Sequence, residues 1–169
     1  MVKRMSWFLV CALAIGLAGG ARAQQGQSEG DLGIDNWDIR AGMFIPENES
    51  MRKASGDVWF TFGAERVVYQ GERYQGTLSL DYYGKDNHYN IPLLLNLRTE
   101  TNRFHYGLGG GVSWGNGLER STTAFAYDFL VGYTLIRGTK PVTAEVRYRG
   151  IAHGKGVLNG WGITVGARF

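Results

Sequence analysis

The sequence has almost no cysteine and little proline. Its one cysteine, Cys11, lies in an apolar segment near the N-terminus, and only 3 of the 169 residues are proline. After residue 23 there is also no apolar run of the ~20 residues that a membrane-spanning helix needs. These absences argue against a disulfide framework and against a helical membrane domain. They leave open a transmembrane β-strand, which needs only ~9–11 residues of alternating character.

The first 23 residues have the layout of a secretory signal peptide. Lys3 and Arg4 precede an apolar stretch over 7–17, and small residues then lead to Ala21-Arg22-Ala23. We expect cleavage after Ala23. Cys11 lies within the apolar stretch and not at a lipoprotein-type cleavage site, so a lipid anchor is not expected. The remaining chain would contain no cysteine.

Charge is balanced once this segment is removed. The whole chain has 18 Lys and Arg against 15 Asp and Glu, and Lys3, Arg4 and Arg22 account for the excess of +3. A near-neutral protein is not expected to bind nucleic acid or another strongly charged partner. Abundant glycine without a Gly-X-Y period, few prolines and many aromatics favour an ordered β protein.

Eight segments of alternating apolar and polar residues follow. They cover about 36–45, 57–67, 73–83, 88–98, 103–114, 123–136, 142–149 and 161–169. Connections at 70–72, 99–102 and 137–141 are short, whereas the polar stretch 46–56 is read as a surface loop. Pro92, inside the fourth segment, cannot donate a hydrogen bond, so a bulge or local break is expected there. The pattern predicts a signal peptide at 1–23, a flexible segment at 24–33, and an all-β domain at 34–169. That domain is expected to be an eight-stranded antiparallel up-and-down transmembrane β-barrel.

The polar face of these segments indicates which side lies inside. It carries small residues and charges of both signs, and lysine is nearly absent from the strands, so we expect the charges to pair in a narrow interior. The expected interior network is Arg40, Glu65, Asp81, Arg98, Asp128, Glu145, Arg147, Arg149 and Arg168. Aromatic residues of the apolar face lie near the ends of the strands. The two interfaces of a membrane favour aromatic residues at these positions. These interfacial aromatics are Trp37, Tyr74, Tyr82, Tyr89, Tyr106, Trp114, Phe125, Tyr133 and Trp161, with Phe169 at the C-terminus.

The chain after residue 23 resembles the small single-domain outer-membrane β-barrels of the OmpX and OmpA-transmembrane type. The resemblance lies in 89–98 (YNIPLLLNLR), 106–112 (YGLGGGV) and 145–149 (EVRYR), and in a final strand that ends at Phe169 like a C-terminal assembly signal. It implies a location in the outer membrane of a Gram-negative-type bacterium, contact with lipid and lipopolysaccharide, and insertion by the barrel assembly machinery. The resemblance to this porin-like family, together with an interior plugged by polar side chains, implies a structural or surface-interaction role. The sequence does not indicate an oligomeric state.

An enzyme is the alternative. Lipid A deacylases are also eight-stranded barrels, and this chain resembles them in having His153 after the seventh strand. Their serine nucleophile would stand two residues later, where this chain has Lys155. Ser121 and Glu145 could complete a weaker constellation with His153. A third possibility is a soluble periplasmic ligand-binding barrel. His88, His105 and His153 are scattered, so no metal site is expected, and no cofactor motif appears.

Overall fold

The computed structural model describes residues 37–117, 121–152 and 156–169, without the side chains of residues 121 and 122. This part of the chain is a closed barrel of eight antiparallel strands, in which each strand pairs with its sequence neighbours and the last pairs with the first. The predicted all-β, eight-stranded antiparallel up-and-down barrel is therefore confirmed. The elements are β1 (Trp37–Pro46), α1 (Glu49–Ser55), β2 (Trp59–Gln70), β3 (Gln75–Lys85), β4 (His88–Thr101), β5 (Phe104–Asn116), β6 (Ser121–Ile136), β7 (Val142–Ile151) and β8 (Gly160–Arg168).

The final strand closes the sheet against the first. Pairing runs from Asp38 opposite Arg168 to Pro46 opposite Gly160. The Phe169 amide also donates to the Trp37 carbonyl at 2.8 Å. Closure leaves no strand edge unpaired. The free edge of an open sheet could pair with another chain and cause aggregation.

Alternation along the strands sends apolar side chains outward and polar ones inward. In β1, Ile39 is 52% exposed whereas its neighbour Arg40 is 2% exposed. In β4, Leu95 is 61% exposed and Asn96 only 1%. The molecule thus has a polar core and an apolar outer surface, the reverse of the distribution in a water-soluble barrel.

The two ends of the barrel differ. We call the end with the connections 71–74, 102–103 and 137–141 the turn end; Trp37 and Phe169 lie there too. The other end, with α1 in the connection between β1 and β2, is the helix end. Across the described ranges, no helix is long and apolar enough to cross a membrane.

The reading of 46–56 as a surface loop was wrong for most of that stretch, because it contains α1. Asn48 caps the helix by accepting from the Met51 amide at 3.2 Å, and Gly56 ends it with φ 84°. Met51 and Ser55, four residues apart, share the buried face. One face of this short polar segment therefore packs against the barrel.

Pro92 does not produce a bulge. It pairs with Ser113 of β5 in an uninterrupted register. On the other side the β3–β4 ladder stops at Leu80 opposite Leu93 and resumes at Tyr83 opposite Asn90 in the same register. The break is thus local and one-sided, as expected for a residue without an N–H. Register shifts occur elsewhere, between Val67 and Tyr69 and between Thr134 and Ile136.

Candidate functional site in the barrel interior

The middle of the barrel is filled by buried ions. Four arginines and four carboxylates project inward from six strands, each at most 6% exposed. They are Arg40, Glu65, Asp81, Arg98, Asp128, Glu145, Arg147 and Arg149. The formal charges of these eight side chains sum to zero, so the cluster that they form carries no net charge.

Glu65 of β2 lies at the centre of this network. One of its oxygens, Oε2, accepts from Arg40 Nη1 at 2.6 Å and from Arg147 Nη2 at 2.7 Å. The other, Oε1, accepts from Arg98 Nη1 at 2.7 Å and from the Thr77 hydroxyl at 2.6 Å. Three cations from three strands therefore converge on one carboxylate, which ties opposite sides of the barrel together.

Glu145 of β7 forms a second centre. Arg98 Nη2 donates to it at 2.5 Å and Arg147 Nε at 2.8 Å, and Nε2 of His105 lies 3.0 Å away. The position of His105 depends on Gly132, which pairs with both His105 and Glu145 on the flanking strands. A Cβ atom at Gly132 would lie 2.0 Å from His105 Nε2. The absent side chain thus gives the imidazole room to reach the carboxylate.

Asp81 and Asp128 complete the pairing. Arg40 donates to Asp81 through Nε at 3.1 Å and Nη2 at 2.9 Å. Arg149 Nη2 lies 3.0 Å from the same carboxylate, and Arg147 Nη1 donates to Asp128 at 3.1 Å. Because buried charges are costly unless partnered, removing one member of the network would leave its partners incompletely compensated.

Apolar residues close the interior at the helix end. Aromatic rings of Phe44 and Tyr83 stack at 4.1 Å, and the Tyr83 hydroxyl donates to the Leu158 carbonyl at 3.1 Å. We call this cluster the apolar cap; its members are Phe44, Met51, Trp59, Tyr83, Ile151 and Leu158. The sequence contained a signal for the apolar cap, because Phe44, Trp59 and Tyr83 all occupy inward positions beside the helix end.

A polar cavity of about 630 Å³ opens at the turn end. Arg98, His105 and Thr143 line its inner part, and Arg137 and Arg168 line its mouth. Arg168 was expected within the charged interior, but its side chain is 31% exposed and its nearest acidic partner is Asp38 at 3.7 Å. The last residue of a strand lies at the barrel rim, which explains the difference.

The aromatics that the sequence predicts to be interfacial lie on the outer surface, near the two rims of the barrel. Trp37, Tyr74, Tyr106, Tyr133 and Phe169 are at the turn end, as their positions beside the turns and termini show. Tyr82, Tyr89, Trp114, Phe125 and Trp161 are toward the helix end. An apolar band separates the two groups.

Of the residues of the enzyme alternative, Glu145 lies far from the backbone position of Ser121. His153 lies outside the described residues, and for Ser121 only the backbone position in β6 is described. Glu145 pairs with Gly132, eleven residues from Ser121 along β6, or about 36 Å at ~3.3 Å per residue. Glu145 is also fully engaged with Arg98 and Arg147, so it belongs to the interior network and cannot orient a base near Ser121.

Sequence reasoning missed part of the interior. His105 was taken as isolated, and Asp38 was not included in the network, although both stand at inward-facing positions. Within the described ranges, no group of three or more His, Cys, Asp or Glu residues is arranged to hold a metal ion. In comparisons with known proteins, no family model matches the chain and no curated sequence matches it.

Proposed function

We propose that this protein is an exported β-barrel of the bacterial outer membrane with a structural or surface-interaction role and no catalytic activity. The observation that carries the proposal is the inverted polarity of the barrel. Large apolar side chains such as Phe62, Leu95 and Val131 are more than half exposed, whereas the interior is ionic.

The energetics of that outer surface favour lipid over water. Burying an aliphatic or aromatic side chain is worth roughly 1.5–3 kcal/mol. Contiguous apolar belts of this kind are rare on soluble monomers and mark protein or membrane contacts. A soluble ligand-binding barrel would need the opposite arrangement, with an apolar interior to receive its ligand. The proposal therefore ranks above the soluble alternative.

The filled interior supports a structural role over transport. Eight strands enclose a space that side chains just fill, and here arginine–carboxylate pairs span it below the apolar cap. We expect no steady ion conductance in planar bilayers. In this location the protein would contact lipid and lipopolysaccharide, and Phe169 would serve recognition by the barrel assembly machinery.

Fractionation of a Gram-negative host expressing the full chain tests this function. We expect the protein in the outer-membrane fraction, extracted only by detergent, and a gel mobility that changes on heating. Recovery in the soluble periplasmic fraction would contradict the proposal. Mass analysis of lipid A adds a second arm, because loss of an acyl chain that depends on Ser121 and His153 would support the hydrolase instead.

A further inference from the structure

Three basic side chains lie over aromatic rings at the turn end. The guanidinium carbon of Arg66 is 5.7 Å from the centre of the Trp37 ring, and that of Arg103 is 5.9 Å from the Tyr133 ring. Lys140 Nζ is 5.6 Å from the Phe169 ring. Within the described ranges, no such pair occurs on the outer surface at the helix end.

The aromatic partners face outward at the level where the apolar band ends. Trp37 and Phe169 are adjacent, because the Phe169 amide donates to the Trp37 carbonyl. Arg66 and Lys140 therefore flank the seam between β1 and β8, and Arg103 lies farther round the rim, where its Nη1 also donates to the Tyr133 hydroxyl at 3.4 Å. We call Arg66, Arg103 and Lys140, with their three rings, the basic arc.

Among the described residues, the formal charges at the two rims differ in sign. Described residues at the turn end, outside the interior, include Arg66, Arg73, Arg103, Arg137 and Lys140 against Glu72 and Glu100. Those at the helix end include Arg52, Lys53 and Lys85 against Glu47, Glu49, Asp57 and Asp86. The turn end would therefore attract anions, whereas the described part of the helix end would not.

We propose that the basic arc binds the phosphate groups of anionic phospholipids in the leaflet that surrounds the turn end. An aromatic ring at a membrane interface sits at headgroup depth, and a cation held over it by cation–π attraction is fixed at the same depth. Arginine guanidinium groups pair well with phosphate oxygens. Each ring therefore positions a cation where a lipid phosphate lies.

The inference rests on the proposed membrane location. Its test uses the full chain expressed in a Gram-negative host, purified from the outer membrane and placed in bilayers of phosphatidylcholine and phosphatidylglycerol. Association of spin-labelled lipids of each type with the barrel is measured. A cation near a lipid surface contributes a preference of about fivefold for anionic lipid, so we expect a several-fold preference for phosphatidylglycerol that falls with added salt.

Matched variants locate the effect. The triple variant Arg66→Gln, Arg103→Gln, Lys140→Gln should lose the preference, with a ratio near one. The control Arg52→Gln, Lys53→Gln, Lys85→Gln removes as many charges at the helix end and should keep it. Equal loss in both variants, or no preference in a correctly inserted wild type, would overturn the inference and leave the membrane location intact. Failure of the wild type to enter bilayers would overturn both.

Discussion

Replacing Glu65 by glutamine should cost about 3 kcal/mol of stability. Glutamine has the same shape but no charge, so Arg40, Arg98 and Arg147 would lose a common partner that each approaches within 2.6–2.7 Å. Removing one member of a buried ion pair costs roughly 3–5 kcal/mol. The lower end applies because Arg40 keeps Asp81, and Arg98 and Arg147 keep Glu145.

Urea unfolding of the barrel in phosphatidylcholine vesicles, followed by tryptophan fluorescence, measures this free energy of unfolding. Glu49→Gln is the matched control, because Glu49 pairs with Lys53 at 2.6 Å but is 70% exposed. An exposed pair is worth about 0.5 kcal/mol or less. A loss below about 1 kcal/mol for Glu65→Gln would refute the idea that the interior is a connected ionic network.

Three further predictions concern smaller parts of the molecule. Gly111→Ala should destabilise the barrel by about 1–3 kcal/mol in the same unfolding assay, because its Cβ would lie 2.1 Å from the Leu93 carbonyl oxygen. Gly110→Ala, whose Cβ would come no closer than 3.3 Å to the Phe125 ring, should be nearly neutral, and equal losses would contradict the reasoning. Gly132→Ala should displace His105 from Glu145, seen as a changed imidazole NMR signal, and an unchanged signal would argue against their contact. Met51→Ala should loosen the apolar cap by about 2–4 kcal/mol and make α1 sensitive to trypsin at Arg52 and Lys53, whereas Ala54→Ser, on the exposed face, should not.

Alternation was enough to predict the strands, and the small and charged residues of the polar face indicated that this face lies inside. In β1, for example, inward Asp38 and Arg40 are buried whereas outward Ile39 is exposed, and in β4 inward Asn96 is buried whereas outward Leu95 is exposed. A one-residue slip would reverse every side chain, so the pattern leaves little freedom in such strands. The interior residues follow from the same parity.

What the sequence did not show depends on contacts between distant strands. His105 reaches Glu145, 40 residues away, only because Gly132 lies between them in the register. Similarly, α1 is too short to be stable alone and is held by its Asn48 cap and by Met51 in the apolar cap. The periodicity of a single sequence specifies neither the register between distant strands nor the packing of α1 against the barrel.

Cysteine labelling along β3 tests the central claim, the inverted polarity of the barrel in a bilayer. The chain after residue 23 has no cysteine, so single cysteines at Thr77, Leu78, Ser79 and Leu80 can be compared. With a fluorophore quenched by lipid-borne nitroxides, we expect strong quenching at positions 78 and 80 and weak quenching at 77 and 79. Strong quenching at positions 77 and 79 with weak quenching at 78 and 80 would contradict the inverted polarity of the barrel. Equal accessibility of all four positions to water-soluble quenchers would contradict it as well.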